Sequence, residues 1–487
     1  MKTENGVMMQ YFEWYLPKAC GLWKRLKEEA PALAEKGFTA LWLPPAYKGQ
    51  RGDEEVGYAV YDLYDLGEFD QKGTVPSKYG TMKEYIEAVE ACRKAGISVY
   101  TDIVFNHMVE GDELETVDVV DFDWNDRNQQ VDGPKTIQAL SRFTFPGRNG
   151  KYNSFVWDKN CFSGSDTDEL SGARGIFQFQ GSKWSESVDD ENGNYDYLLG
   201  LNVNFSNPDV VAYLLDWGQW YYDTVKPDGF RLDALKHIDY NFFPGWLQEL
   251  RAYSGKELFT VGEYWKGDVN KLLAYLENAK ECMSLFDVPL HYNLHNISVS
   301  SGAYDLSQVF QGTLTEADPV HSVTFVDNHD TQPTQALESC IEEWFLPHSY
   351  ALILLRAEGY PCVFYGDYYG LDAREGRNIQ PLIDQMLKAR RHRMYGECHS
   401  YFDDFDVIGW TFEGEARKKN SGLAVILSDK DAGEKKMFVG QSHAGETWKD
   451  LSGAVEEPVI IDEEGNGVFR CNPASVSFYG KTSHKDS

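Results

Sequence analysis

Polar side chains able to do chemistry lie in four short segments, each at the end of an apolar run typical of a buried strand. In chain order the segments contain Asp102, Asn106 and His107; Arg231, Asp233, Lys236 and His237; Glu263 and Trp265; and His329 and Asp330. Burying carboxylates close together is costly unless they are paired or take part in a reaction. We therefore expect the four segments to meet in one functional site.

Two of these carboxylates are expected to differ in protonation. Side chains alternate along a strand, so Arg231 and Asp233 share a face, and the guanidinium favours the charged form of Asp233, as a nucleophile requires. Glu263 is flanked by Tyr264 and Trp265. Partial desolvation and a neighbouring carboxylate should raise the pKa of Glu263, as a general acid requires. One charged and one protonated carboxyl group are the minimum set for cleaving a glycosidic bond.

Alternating strand-like and helix-like segments surround these residues, which favours a parallel sheet, either open or closed into a barrel. The pattern predicts strands at 7–15, 39–43, 98–105, 229–232, 258–261, 283–286, 323–326 and 361–365, and helices that include 22–35, 82–95 and 209–226. Eight strands are the number that an α/β (β/α)8 TIM barrel needs, and catalytic groups of such barrels lie at the C-terminal strand ends.

Two regions depart from this alternation. Residues 108–205 are rich in Asp, Asn, Gly, Ser and aromatic residues, and because long structureless loops are uncommon in compact domains, we predict an inserted β-rich domain after the third strand. Short alternating stretches at 406–411, 423–427 and 475–479 predict a C-terminal antiparallel β-sandwich. The predicted domains are a barrel of residues 1–107 and 206–395, an insert of 108–205 and a C-terminal domain of 396–487.

The composition bears on the binding partners and on the cellular compartment of the protein. A chain of 487 residues is too long for a single hydrophobic core. Its 77 acidic and 46 basic residues give a net charge of −31, which disfavours nucleic acid and anionic membranes as partners. No apolar run approaches the roughly 20 residues of a membrane span, and the first residues lack a secretory apolar segment. The eight cysteines show no C-x-x-C spacing, so we expect free thiols and a cytoplasmic protein.

Taken together, the four segments resemble the conserved motifs of the α-amylase family of glycoside hydrolases. Further stretches are similar to bacterial liquefying α-amylases: MQYFEWY from Met9, LPPAYKG at 43–49, VGYAVYDLYDLGEF at 56–69, ENGNYDYL at 191–198 and AGETWKDLSG at 444–453. The similarity runs from Met9 to Tyr479. It implies an endo-acting, retaining hydrolase of α-1,4-glucosidic bonds in starch, glycogen or maltodextrins, expected to be a monomer.

The resemblance also assigns roles within the site. It implies that Asp233 is the nucleophile, Glu263 the acid/base and Asp330 a third carboxylate that binds sugar hydroxyls and helps distort the ring. Substrate contacts are implied for Asp102, Arg231, His107, His329, Tyr58, Trp265 and Lys236. Among these, Tyr58 is expected to stack on the sugar at the cleaved bond, and Lys236 and Trp265 to lie on the leaving-group side. For Trp265, packing in the core is the alternative.

The resemblance further implies one calcium ion between insert and barrel, because calcium prefers a mixture of carboxylate, amide and carbonyl oxygens. The matching ligands are Asn106, Asp196, Asn202 and the backbone carbonyl of His237.

The metal region departs from the relatives that it resembles. They carry acidic residues where this chain has Asn202, Asn204 and Ser206, and a further aspartate where it has Ser185. We therefore expect a calcium site of reduced charge and no additional metal cluster. The stretch Thr-Gln-Pro-Thr after Asp330 lacks the basic residue of chloride-activated amylases, so no chloride is expected.

Two other functions stay open on sequence grounds. A maltooligosaccharide-processing enzyme or transglycosylase of the same superfamily would share the barrel chemistry, and product sizes from amylose at early times separate the two. A catalytically inactive glucan-binding protein is the alternative from another class. The intact set of Asp233, Glu263 and Asp330 argues against it.

Overall fold

The computed structural model describes residues 4–371 and 378–481; residues 1–3, 372–377 and 482–487, which the predicted domains include, lie outside the described residues. The chain opens with β-α units. Their elements are β1 (Met8–Gln10), α1 (Leu22–Lys36), β2 (Ala40–Leu43), β3 (Lys48–Gly49), β4 (Val60–Asp62), α2 (Met82–Lys94) and β5 (Ser98–Ile103). Helix α1 buries residues at helical spacing, from Leu22 to Leu33, and ends at Gly37, whose positive φ suits a left-handed cap.

An antiparallel insert follows β5. Its strands are β6 (His107–Met108), β7 (Glu113–Phe122), β8 (Gln130–Arg142), β9 (Phe162–Asp168), β10 (Ala173–Phe179) and β11 (Leu201–Val203). They form one sheet in the order β6-β11-β9-β10-β7-β8. Strands β6 and β11 pair with Asn202 opposite His107, so the insert begins and ends beside the end of β5.

The β-α alternation then resumes. Its elements are α3 (Pro208–Val225), β12 (Gly229–Leu232), α4 (Phe242–Ser254), β13 (Phe259–Gly262), α5 (Val269–Asn278), β14 (Ser284–Phe286), α6 (Val288–Val299), α7 (Leu314–Ala317), β15 (Ser322–Phe325), α8 (Leu346–Leu354), β16 (Tyr360–Phe364), α9 (Tyr365–Tyr369) and α10 (Gln380–Arg393). Strands β1, β2, β5, β12, β13, β14, β15 and β16 form a closed parallel barrel. One hydrophobic core joins the barrel to its helices.

The C-terminal part contains two antiparallel sheets. Its strands are β17 (Cys398–Tyr401), β18 (Val407–Phe412), β19 (Leu423–Ser428), β20 (Gly433–Phe438), β21 (Thr447–Asp450), β22 (Val459–Ile460), β23 (Asn466–Cys471) and β24 (Ser475–Lys481). Six strands form the sheet β17-β18-β19-β24-β21-β22, and β20 pairs with β23. A second core that includes Ile426, Met437, Trp448 and Phe469 takes side chains from both sheets, as in a sandwich.

The predicted fold class is confirmed, and all eight barrel strands are present within a few residues of their predicted ends. The largest difference is the first strand, which was predicted to reach Tyr15 but ends at Gln10. Beyond Gln10 the chain turns over the barrel end, where the backbone N–H of Trp14 donates to the side chain of Gln332. Tyr11, Phe12 and Glu13 are all buried there, so their burial continues beyond the strand and does not mark its end. The exact domain boundaries stay predictions.

A buried lysine holds the loop between β3 and α2. The ammonium nitrogen of Lys48 lies 2.6 and 2.7 Å from the carbonyl oxygens of Thr74 and Val75, and 3.2 Å from that of Phe69. The Asp65 carboxylate lies 3.5 Å from the same nitrogen. Buried carbonyl groups need donors, and this one ammonium supplies them along the loop that also contains Tyr58.

Over the part of the chain that the structure describes, no helix combines the length and the apolar character needed to cross a membrane.

Candidate active site

One buried guanidinium connects three carboxylates at the ends of β5, β12 and β13. Arg231 Nη1 donates to Asp102 Oδ1 at 2.9 Å and to Asp233 Oδ1 at 2.7 Å, and Nη2 donates to Glu263 Oε2 at 2.6 Å. Sheet register explains the arrangement, because Asp102 and Arg231 lie directly opposite one another and Glu263 follows the last residue of β13. Three of the four predicted segments therefore meet at Arg231.

The three predicted catalytic carboxylates keep a path to solvent. The side chains of Asp233, Glu263 and Asp330 are 11%, 12% and 24% exposed, whereas that of Arg231 is fully buried. Reagents can therefore reach the carboxylates while the guanidinium stays enclosed.

Burial also changes the acidity of two of these groups. It raises the pKa of the Glu263 carboxyl to about 8, with the positive charge of Arg231 acting in the opposite direction and the negative charge of Asp233 in the same direction. Burial likewise raises the pKa of Asp330 to about 7. A carboxyl group that is protonated near neutrality can donate a proton to a leaving oxygen.

Asp102 lies deeper than the other carboxylates. Its Oδ2 accepts hydrogen bonds from the Trp42 indole at 2.9 Å and the Tyr58 hydroxyl at 2.8 Å, and its Oδ1 accepts from Arg231. Burial raises its pKa to about 6. Both oxygens are thus engaged by the protein, and a direct contact of Asp102 with substrate stays a prediction.

Three nearly parallel rings line the site beside Asp330. The ring centroids of Tyr58 and His329 are 4.9 Å apart with planes 9° from parallel, and Trp14 lies 5.9 Å from Tyr58 and 6.0 Å from His329. His329 Nε2 lies 3.4 Å from Asp330 Oδ2. Burial and the charge of Arg231 hold the pKa of His329 well below its usual range, so the ring is neutral. This arrangement offers an apolar face and polar edges to a sugar.

His107 contacts the same aromatic wall from the insert side. Its Nε2 donates to the Tyr58 carbonyl oxygen at 2.7 Å, and burial lowers its pKa. The structure therefore brings His107, Tyr58 and His329 together, and their contacts with substrate stay a prediction.

A second set of predicted substrate-contacting side chains, Lys236 and Trp265, lies where the chain continues beyond Glu263. Lys236 Nζ donates to Glu191 Oε2 at 3.0 Å and to the Trp265 carbonyl oxygen at 3.3 Å. The Trp265 indole N–H donates to the Tyr292 hydroxyl at 2.9 Å, and its ring packs in the main core. Lys236 is thus hydrogen-bonded to the backbone just beyond Glu263. Much of the Trp265 ring, in contrast, is buried in the core.

The residues predicted to bind calcium lie where the insert joins the barrel. The side-chain oxygens of Asn106 and Asn202 are buried and have no hydrogen-bond partner among residues 4–371 and 378–481. Asn202 Nδ2 donates to Asp196 Oδ2 at 3.2 Å, and the His237 ring bonds the carbonyl oxygen of Tyr195, next to Asp196. Buried oxygens without donors fit a hard cation, which takes oxygen ligands.

Another set of ligand-type side chains lies far from this junction. Glu397, His399 and Glu413 place one ligand atom each within 4.8 Å of one another at β17 and β18. The 2.6 Å hydrogen bond between His399 Nε2 and Glu413 Oε1 accounts for two of them. None of the three was predicted to bind metal.

Gln10 and Trp14 also belong to the site, although the sequence did not lead us to predict them. Gln10 Nε2 lies 3.1 Å from His329 Nδ1, and Trp14 is parallel to Tyr58. Both fall within the MQYFEWY stretch, but its strand pattern gave no separate sign of where the strand ends. The polar Gln at a buried position of β1 was the available signal.

The sequence comparisons cover nearly the whole chain. A family model described as the catalytic domain of alpha amylase matches residues 10–403. An alpha-amylase of Geobacillus stearothermophilus is 50% identical over 98% of this chain and 87% of its own length, and an alpha-amylase of Bacillus licheniformis is 48% identical over 98% and 93%. A cytoplasmic alpha-amylase of Escherichia coli K12 is 41% identical over 98% of both chains.

Solved structures share the fold at lower identity. An alpha-amylase from Geobacillus thermoleovorans in complex with acarbose aligns with a TM-score of 0.65 and 17% identity, over 99% of this chain and all of the other. An Anoxybacillus alpha-amylase aligns with a TM-score of 0.64 and 18% identity, over 99% and 96%.

Proposed function

This chain belongs to the α-amylase family of glycoside hydrolases and hydrolyses internal α-1,4-glucosidic bonds of α-glucans, and we propose that Asp233 is its nucleophile and Glu263 its acid/base. One observation carries the assignment: a single guanidinium binds both carboxylates on neighbouring nitrogens. This favours the close spacing of a retaining pair, about 5–5.5 Å between carboxyl groups.

The proposed reaction has two steps. Asp233 attacks the anomeric carbon while Glu263 donates its proton to the leaving glycosidic oxygen, which gives a covalent glycosyl-enzyme and a shortened glucan. Glu263, now ionised, takes a proton from water as that water attacks the anomeric carbon, and the bond to Asp233 breaks. Two inversions leave the product with the original α configuration.

The surrounding residues would hold the sugar. Tyr58 would stack on the apolar C–H face of the glucosyl ring, and His107 and His329 would meet its hydroxyl groups. Asp330 would bind hydroxyl groups of the distorted ring. What supports this role is its partly exposed carboxyl group beside the neutral His329 ring.

Fresh product from maltoheptaose, followed by proton NMR, tests the stereochemistry. The α-anomer should appear first and the β-anomer only by later mutarotation. Initial β-anomer would refute the two-step mechanism. The same time course reports product sizes, and products longer than the substrate would favour the transglycosylase alternative.

We also propose one calcium ion at the junction of insert and barrel, held by Asn106, Asp196, Asn202 and the backbone carbonyl of His237. The donor set supports it, because two buried amide oxygens lack donors within the described part of the chain. When bound, the ion would supply electrostatic cross-linking between insert and barrel. No additional metal cluster and no chloride are proposed.

A cytoplasmic location is a further proposal. It is supported by the 41% identity with a relative named a cytoplasmic alpha-amylase and by the free thiols of Cys20, Cys92, Cys161, Cys282, Cys362, Cys398 and Cys471. The proposed division into domains, with boundaries at 107, 205 and 395, is supported by the extent of the three groups of strands.

A further inference from the structure

An exposed tryptophan lies at the tip of the long hairpin formed by β7 and β8. Trp124 is 46% exposed, two residues after the end of β7. Single exposed aromatic residues are common on protein surfaces, so exposure alone indicates nothing. The position of Trp124 relative to the active site is the informative feature.

Stacked and charged contacts connect Trp124 to the leaving-group side of the cleft. Lys236 Nζ, which bonds the backbone just beyond Glu263, lies 4.7 Å from the centroid of the Tyr195 ring. The guanidinium carbon of Arg127 lies 5.6 Å from the Tyr195 centroid and 5.7 Å from the Trp124 centroid. Trp124, Arg127 and Tyr195 therefore form a row of contacts that leads from the hairpin tip to Lys236.

Backbone contacts hold the hairpin tip against the rim of the cleft. The Arg127 backbone N–H donates to the Asn192 carbonyl oxygen at 2.7 Å, and Arg127 Nε donates to the Trp124 carbonyl oxygen at 3.0 Å. A Cβ at Gly193 would approach the Asn128 side chain within 2.5 Å, so the two turns are in close contact. The hairpin tip thus packs against the turn that contains Asn192 and Gly193.

The chemistry of these side chains suits a polyhydroxylated ligand. Arg127 is 6% exposed, and its Nη1 has no hydrogen-bond partner among the residues that the structure describes. A buried donor without an acceptor is costly, and a sugar hydroxyl can accept from it. The exposed Trp124 ring offers a face for the C–H groups of glucose, and Tyr195 lies behind it toward Lys236.

We infer that Trp124, Arg127 and Tyr195 form a distal glucan-binding site on the leaving-group side, which favours long substrates over short ones. The inference rests on the proposed function, because the roles of Glu263 and Lys236 define that side of the cleft. It adds a determinant of chain-length preference to the chemistry at Asp233.

The test compares Trp124→Ala with a matched control, Phe405→Ala, whose side chain is 49% exposed far along the chain, between β17 and β18. One substrate is amylose, and the other is a maltotrioside with a chromogenic leaving group, which ends before the distal site. Loss of one aromatic contact of about 0.5–1.5 kcal/mol should raise KM for amylose roughly two- to tenfold. The chromogenic substrate should be cleaved as by the wild type, and the control should match the wild type on both.

Two results would overturn the inference: wild-type kinetics of Trp124→Ala on amylose, or an equal loss on both substrates. Binding of maltoheptaose to a Glu263→Gln background, measured by calorimetry with and without Trp124→Ala, separates this inference from the reaction mechanism. Weaker binding in the double variant would support the distal site even if Glu263 were not the acid/base. Unchanged binding there would count against the site.

Discussion

At the scale of single residues, Arg231 organises the chemistry. It is fully buried, and its donors are directed to Asp102, Asp233 and Glu263, so the position of each carboxylate depends on the same side chain. Charge-assisted hydrogen bonds of this kind are strong and directional. The arrangement keeps two carboxyl groups close together without requiring the same protonation state in both.

Removing either proposed catalytic carboxyl group should abolish most turnover. Asp233→Asn removes the nucleophile and Glu263→Gln the proton donor, and each should lower kcat by about three to five orders of magnitude while maltoheptaose binding persists. Steady-state kinetics and calorimetry measure the two effects. Glu28→Gln, on the exposed face of α1, is the matched control and should behave as the wild type. Near-normal turnover of Glu263→Gln would place the acid/base elsewhere.

The raised pKa of Glu263 predicts an alkaline limit to activity. The first step needs the protonated form, so kcat/KM on amylose should be retained below a pH of about 8 and fall as the pH rises through that value. The negative charge of Asp330 also raises the pKa of Glu263. The residual activity of Asp330→Asn should therefore have its alkaline limit at a lower pH than the wild type.

The control for this pH dependence is a substrate whose leaving group needs little protonation. With it, Glu263→Gln should show no alkaline limit near pH 8. A limit that persists in that variant would assign the titration to another group. Apparent pKa values of such closely coupled carboxyl groups belong to the set rather than to one residue.

Sequence reasoning could select the proposed catalytic residues because each follows an apolar run typical of a strand and is an unusual polar residue at that position. The approach of Arg231 to Glu263 needed the fold, since 32 positions separate them. Trp14 was missed because its contact with Tyr58 depends on how the chain turns after β1.

At the scale of elements, the junction of insert and barrel is the most sensitive part of the site. Strand β6 carries His107 and pairs with β11, which carries Asn202. The backbone N–H of Val203 donates to the Asn106 carbonyl oxygen at 3.0 Å. A change in the pairing of β6 with β11 would therefore alter the active site through His107.

Replacing Asn202 by Asp should change stability in opposite directions with and without calcium. The added carboxylate would strengthen calcium binding, but without the ion it would lie next to Asp196 and replace a 3.2 Å hydrogen bond by repulsion. Thermal melting should show a lower Tm than the wild type in excess chelator and a larger rise on adding calcium.

Asn160→Asp, an exposed position of the same insert, controls for added charge and should respond to calcium like the wild type. Equal calcium responses of Asn202→Asp and the wild type would refute the proposed ligand set.

The strands could be predicted because barrel strands are buried on both sides and rich in apolar residues. The insert could be predicted only as β-rich, since its strand order depends on pairings between distant segments. Strand β11, for example, pairs with both β6 and β9.

At the scale of the whole molecule, the cysteines bear on the proposed compartment. Cys20, Cys282 and Cys398 are partly exposed free thiols, Cys92, Cys161, Cys362 and Cys471 are buried free thiols, and Cys340 is also buried. After denaturation without reductant, all eight thiols should react with a thiol reagent. In the native protein Cys20, Cys282 and Cys398 should react before the buried five, because they are partly exposed. Fewer than eight reactive thiols after denaturation would show disulfides and contradict the cytoplasmic proposal.

Because of the Lys48 ammonium, the stability of the two sides of the cleft depends on different conditions. On the side of Tyr58, the cation that gathers the loop carbonyls is a covalent part of the chain and cannot be diluted away. On the side of Asn202, the proposed cation exchanges with the surroundings. Ion depletion should therefore loosen the side of Asn202 reversibly, while the contacts of Lys48 with the loop carbonyl oxygens persist.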